Sequence, residues 1–224
     1  MRLVFASNNA HKLAEVRAIM PEGIEVLSLH DIGFEQEIAE TGATLEENSK
    51  IKAEAVYQWI LDNGQWTLDG VFADDTGLEI DALGGKPGVY TARWAGEPAA
   101  NRKKAIAELA DKEDRRAQFR TVITLAFSNR CAKVYTAPLN KQAPDASALP
   151  KNQQIFGDPN YIQVEGIVRG QIAKEEYGEG GFGYDPVFIP EGYDKTFGEL
   201  PAEVKNNISH RSRALAELVK VLQR

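Results

Sequence analysis

The chain has 224 residues, enough for one large domain or two small lobes around a shared cleft, with ordinary hydrophobic (43%) and charged (26%) content for a globular protein. A formal charge of −7 argues against a broad nucleic-acid-binding face, so a polyanionic ligand would need a local basic pocket or a metal. The single cysteine, Cys131, excludes an internal disulfide and a cysteine-rich zinc site, and no stretch approaches 18 apolar residues, so a cytoplasmic protein without a membrane span is expected.

In chain order, "RLVFA" (2–6) reads as a short buried strand and "SNNAHK" (7–12) as the loop after it. Leu13, Val16, Ile19 and Met20 recur at helical spacing up to Pro21. Ser7 to Lys12 therefore stand at a helix N-terminus, where free N–H groups and the dipole favour an anion. Thr44 and Glu47 fit a capping box for a second helix, with Leu45, Ile51, Ala55 and Trp59 as its apolar stripe and Gly64 as its cap. Asn48 and Lys52, four apart, share a face of that helix.

"VFADD" (71–75) reads as a strand ending in two acids, followed by a Thr76-Gly77 turn and the strand "LEIDAL" (78–83). "GGKPG" (84–88) reads as a turn, and Pro98 and Asn101 open a helix carrying Ile106 and Leu109. "QFRTVITLAF" (118–127) is the longest strand candidate, with further strands at 161–173 and 187–189. Residues 138–160, rich in Pro, Asn, Gln and Ala without a period, read as a surface insertion. The last helix starts at Ser209 and carries Leu215, Leu218, Val219 and Leu222. Strands and helices mix throughout, which predicts an α/β fold with a long central sheet.

Four stretches carry chemistry. Asp74 and Asp75 are either a capped turn or a Mg²⁺ site, since hard Mg²⁺ prefers carboxylate oxygens and keeps waters for a phosphate substrate. Strand alternation sends the two side chains to opposite faces, so only one should reach the metal. Glu40 and Lys52 are either solvated surface charges or part of the same site. His210, Arg211 and Arg213 open a helix whose dipole they oppose by a few tenths to about 1 kcal/mol each, a misfit either tolerated on a solvated surface or relieved by an anion. "GEGGFGYDP" (178–186) has four glycines in six positions, more than a turn requires, which suggests close backbone approach to something. No G-x-x-x-x-G-K-[ST] is present, so this is not a P-loop.

Taken together, "FASNNAHKLAEV", "ETGATLEENSKIKA", "ADDTGLEIDALGGKPGVYTARWAG", "GEGGFGYDPVF" and "KNNISHRSRAL" resemble the inosine triphosphate pyrophosphatase family, in the family's order and over most of the chain except about 129–163. The resemblance implies one homodimeric α/β domain over 1–224, with a long central mixed sheet, flanking helices and two lobes around a nucleotide cleft. It implies Mg²⁺-dependent hydrolysis of ITP, dITP and XTP to the monophosphate and pyrophosphate. By motif match, Ser7, Asn8, Asn9, Ala10, His11, Lys12 and Lys52 would handle the triphosphate, and Glu40 and Asp75 the metal, with Asp75 also the proton acceptor and Lys52 a catalytic partner. Thr76, Phe182, Gly183, Tyr184, Asp185, Lys205, His210 and Arg211 would complete the substrate site.

On this reading Phe182 or Tyr184 stacks on a purine, a contact worth about 1–3 kcal/mol. Backbone N–H groups of the glycine loop would then read a 6-oxo group and reject a 6-amino group. Rejection of GTP, the choice among ITP, dITP and XTP, and any metal contact from Asp74 or Glu47 are left open by the residues. The rival reading is a non-enzymatic purine nucleotide sensor of the same fold.

Overall fold

The computed structural model describes residues 1–63, 68–127 and 160–223. Gly64 and residues 138–159 of the expected insertion lie outside the described residues. A seven-stranded sheet has the order β2-β1-β3-β5-β6-β7, with β4 paired to β3. The strands are β1 (Arg2–Phe5), β2 (Glu25–Leu27), β3 (Gly70–Ile80), β4 (Lys86–Gly88), β5 (Arg116–Phe127), β6 (Asn160–Ile172) and β7 (Phe188–Pro190). Pairs β1–β2 and β1–β3 are parallel and all others antiparallel, so the sheet is mixed, as the fold class requires.

Helices α1 (Ala10–Ile19), α2 (Leu45–Asn63), α3 (Pro98–Glu108), α4 (Ala202–Ile208) and α5 (His210–Leu222) flank it. On one face Phe5, Phe72 and Leu125 pack with Val16 of α1 and Leu215 and Leu218 of α5. On the other, Val4, Val71 and Ala73 pack with Ala53 and Val56 of α2. A third cluster joins Leu78, Ile80 and Phe119 at the far end of the long strands to Ala105 of α3 and to Tyr184, Phe188 and Phe197. Such burial contributes roughly 1.5–3 kcal/mol per large side chain.

Several expectations change. Thr76-Gly77 is not a turn, because β3 runs through it without a break and pairs with β5 from Val71↔Ala126 to Ile80↔Ala117. Gly77 is needed for a different reason: a Cβ there would stand 3.1 Å from Gly88 O of β4, tighter than ordinary packing. Of "GGKPG", only Gly84 and Gly85 make the turn, both with positive φ (62° and 82°), and the rest is β4. "LEIDAL" splits likewise into the end of β3 and a 3₁₀ turn at Asp81–Leu83.

The buried face of α2 is Leu45, Asn48, Ser49, Lys52, Ala53, Val56 and Tyr57, whereas Ile51, Ala55 and Trp59 are only half-buried. A search for an apolar stripe misreads this helix because its inward face carries polar groups. Ser49 Oγ lies 2.7 Å from Thr124 Oγ1, and Asn48 and Lys52 reach β3. β6, of 13 residues, exceeds β5, of 12, as the longest strand.

Candidate active site

The end of β1 delivers the chain into a cleft of about 590 Å³ lined by Ser7, Asn8, Asn9, His11 and Lys12. Asn9 caps α1, its Oδ1 accepting from His11 N (3.0 Å) and Lys12 N (3.1 Å), and Ser7 Oγ accepts from Asn9 N (3.2 Å). The N–H groups of Asn9, His11 and Lys12 are thus satisfied internally, which leaves those of Asn8 and Ala10, with side chains, to meet an anion here. The expectation of free N–H groups at this turn therefore narrows to those two. Ala10, the first residue of α1, does not line the cleft, unlike its neighbours.

Asp74 and Asp75 separate as alternation requires. Asp74 Oδ1 accepts from Lys12 Nζ (3.0 Å), and its Oδ2 from Arg211 Nε and Nη2 (3.2 and 3.1 Å). Burial alone would raise its pKa, but Lys12 and Arg211 overcome that and hold the carboxyl well below the usual range. Asp75 faces α2 instead, accepting from Lys52 Nζ (3.2 Å) and Asn48 Nδ2 (3.3 Å). Here burial wins over Lys52, and the pKa is raised. A carboxylate with raised basicity in a cleft is suited to taking a proton.

Lys52 Nζ also lies 3.1 Å from Glu40 Oε1, so one ammonium bridges Glu40 and Asp75. Burial opposes its charge, but Asp75, Asp74 and Glu40 outweigh burial and raise its pKa. Two carboxylates converging on one cation, open to the cleft, are the donor set that Mg²⁺ uses when waters and phosphate oxygens fill its remaining positions. Among the described residues no group of three or more His, Cys, Asp or Glu side chains could hold a metal alone.

At the other side stands the glycine-rich loop. Gly178 and Gly180 press against Gly198, and a Cβ on Gly181 would overlap Asp185. What the loop approaches closely is thus largely the protein itself. Phe182 N donates to Asp185 Oδ2 (2.6 Å), so that N–H is already engaged and does not read a base. Tyr184 is buried and its hydroxyl donates to Thr91 O (3.1 Å). Burial raises the phenol's pKa, keeping it a donor. Of the two rings expected to stack on a base, Phe182 is the half-buried one; it stacks on His11 (5.3 Å between centroids) and lies 4.7 Å from Lys205 Nζ.

The basic start of α5 is reinterpreted. Arg211 is fully buried, paired to Asp74 and, through a short contact, to Glu15; these two carboxylates overcome burial and raise its pKa. Arg213 points away, donating to Ile208 O and Ile167 O. His210 is buried against Phe119 (4.6 Å, stacked), and burial together with Arg211 and Lys205 drives its pKa well below the ordinary value, so it is neutral at pH 7. Internal carboxylates and a lost proton, with no bound anion required, relieve the dipole misfit. His210 Nδ1 has no hydrogen-bond partner among the described residues.

The cleft also holds Gly183, Thr76 and Asp185, whose buried carboxyl is pushed up and is paired with Lys205 (2.6 Å). Sequence reasoning missed Glu15, which joins Lys205 and Arg211, and missed Thr91, Asn101 and Phe119 in the cleft wall. Glu15 left one usable signal: it lies three residues beyond Lys12, on the same side of α1.

A mixed sheet in an α/β fold, whose cleft gathers carboxylates of the central strand, lysines of the flanking helices and an aromatic loop, defines a nucleotide-binding hydrolase type of site. The sequence profile of the Ham1 family matches residues 3–221, and the chain belongs to that family. It is 42% identical to the dITP/XTP pyrophosphatase of Flavobacterium johnsoniae, over 99% of this chain and 98% of that one. It is 41% identical to the dITP/XTP pyrophosphatase of Bacillus subtilis, over 98% and 96%. Among solved structures, the Staphylococcus aureus Ham1 protein superposes with a TM-score of 0.73 at 35% identity, over 99% of this chain and 98% of that one. A HAM1 protein from Coxiella burnetii gives 0.74 at 33% identity, with the same coverages.

Proposed function

We propose that the protein hydrolyses deaminated purine nucleoside triphosphates, ITP, dITP and XTP, to the monophosphate and pyrophosphate. The observation that carries the reading is the Glu40–Lys52–Asp75 triplet, which opens onto the same cleft as the Phe182 ring. The names of the relatives supply the substrate class. In this reading Lys12 and Lys52 grip the phosphates and Phe182 stacks on the base, while Lys205, His210 and Arg211 line its edge. Bound Mg²⁺, held by Glu40 and Asp75, would neutralise phosphate charge.

Asp75 takes a proton from a water molecule, and the water oxygen forms the new bond to the α-phosphorus. The bond from that phosphorus to the bridging oxygen breaks, and pyrophosphate leaves with the electron pair. Support for Asp75 over Asp74 comes from their partners, since Asp74 is already committed to Lys12 and Arg211. The proposal extends to a homodimer acting on the cytoplasmic nucleotide pool. Among the described residues no helix is long and apolar enough to cross a membrane.

Product analysis with ITP and Mg²⁺ should give IMP and pyrophosphate, and ATP should be turned over roughly 10⁴-fold less efficiently. IDP with orthophosphate, or equal efficiency with ATP, overturns the reading. Binding without turnover would leave the nucleotide sensor instead.

A further inference from the structure

The cleft has two chemical ends. Acids and cations gather where β1 and α2 meet β3, and the opposite end is bounded by the turn after β4 and by the glycine-rich loop. Asn101, on the first turn of α3 and 2% exposed, stands behind that turn with both halves of its amide in use. Its Oδ1 accepts from Ala95 N (2.5 Å) and its Nδ2 donates to Ala92 O (3.0 Å), closing residues 92–95 around one side chain.

The same turn is tied on two other sides. Thr91 Oγ1 donates to Gly88 O (2.5 Å) and accepts from Leu78 N (2.7 Å), pinning its start to β3. Thr91 O accepts from Tyr184 OH (3.1 Å), and Arg102 Nη1, one residue after Asn101, donates to Gly183 O (3.0 Å). The two walls of the slot are therefore fastened to each other through α3 and through Tyr184.

We propose that Asn101 is a positioning residue for base recognition: its amide holds the 91–93 wall at the separation from Phe182–Tyr184 that a planar purine fills. The proposal rests on the reading of the cleft as a purine nucleotide site. Only a primary amide supplies one donor and one acceptor in this geometry. Aspartate keeps the acceptor for Ala95 N but loses the donor and sets a negative charge against the Ala92 carbonyl. Alanine leaves both backbone groups without their partner, in a place where water replaces it poorly. In either variant residues 92–95 lose their tie to α3 and only the Thr91 ties remain, so the slot is held less firmly at its width, while Lys12, Lys52 and the acids are untouched. The clamp thus acts on the base and not on the phosphates.

The test uses the full chain with Asn101→Asp, Asn101→Ala and Tyr184→Phe, which removes only the hydroxyl tie to Thr91. KM and kcat for ITP, the ITP-to-ATP preference, and Ki for inorganic tripolyphosphate, which has no base, are measured for each. The Asn101 variants should raise the KM for ITP about tenfold, the worth of one good buried hydrogen bond, with kcat within about threefold. The ITP-to-ATP preference should shrink and the tripolyphosphate Ki stay at the wild-type value. Tyr184→Phe should give the same split at smaller amplitude, which keeps the test open if the Asn101 variants fold poorly.

A KM for ITP within about twofold of wild type, or a tripolyphosphate Ki that rises in step with it, overturns the proposal. Wild-type protein inactive on ITP overturns the functional reading; active wild type with unaltered variants overturns only the role of Asn101.

Discussion

Asp74 and Asp75 carry the same side chain at adjacent positions of β3, and their partners give them different work. Asp75 has raised basicity and shares Lys52 with Glu40, so Asp75→Asn keeps the shape but removes the proton acceptor. Its kcat with ITP at saturating Mg²⁺ should fall at least about 10²-fold, while calorimetry still detects nucleotide binding through Lys12 and Lys52. Retention of more than about a tenth of the activity would remove Asp75 from the mechanism. Asp74→Asn should behave differently. It strips the buried partner from Lys12 and Arg211, and leaving buried cations unpaired typically costs about 3–5 kcal/mol, so thermal melting should show the loss before kinetics do. A melting temperature equal to wild type would mean that Glu15 alone holds Arg211.

At the scale of elements, the glycine-rich loop shows what the sequence reveals and what it hides. Its glycine density was legible, but its cause was not, because Gly198 and the Asp185 carboxylate that fill the space beside it are placed by tertiary contacts. The strand–loop–helix start at Ser7 to Lys12 and the shared face of Asn48 and Lys52 could be read locally, because spacing alone decides them. The inward face of α2 could not, since burying Asn48, Ser49 and Lys52 requires knowing that Asp75 and Thr124 lie opposite.

The same distinction predicts two unequal substitutions in the loop. Gly183 has a φ of +61° with no atom within 4 Å of an added Cβ, so Gly183→Ala should cost only the left-handed backbone strain, about 1–2 kcal/mol. Gly181, at +72°, would drive its Cβ into the Asp185 carboxylate that holds Phe182 N and Lys205. Gly181→Ala should therefore lower both the melting temperature and kcat/KM for ITP well beyond Gly183→Ala. Equal effects would show that the Asp185 contact does not organise the loop.

Over the whole molecule, acid stability and chain length give two further tests. His210 is buried against Phe119 and feels the charges of Arg211, Lys205, Asp74 and Lys12, with its pKa driven far down, first by burial and then by Arg211. Below about pH 6.5 the unfolded chain binds a proton at this position that the folded chain refuses. Stability therefore falls as pH drops below that value, by up to about 1.4 kcal/mol per unit. His210→Gln should flatten the melting temperature against pH between 5 and 6.5, and parallel curves for the two proteins would refute the assignment.

The second test concerns the connection from β5 to β6. Phe127 and Asn160 are register partners in the ladder, so the two ends of the intervening chain already stand side by side. Asn160 belongs to the strand, which moves the end of the expected insertion back to residue 159. An antiparallel pair can be closed by as few as two residues, and lengthening a surface connection costs only about 0.6 kcal/mol per doubling. The polar, Pro-containing composition of 138–159 offers no hydrophobic period to bury. We therefore expect replacement of 138–159 by a short Gly-Ser linker to leave the melting temperature and ITP turnover close to wild type, because the β5–β6 ladder and the cleft residues keep their partners. Sedimentation of the same protein decides the alternative. If it runs as a monomer where the full chain runs as a dimer, the segment is an interface element and not a dispensable insertion.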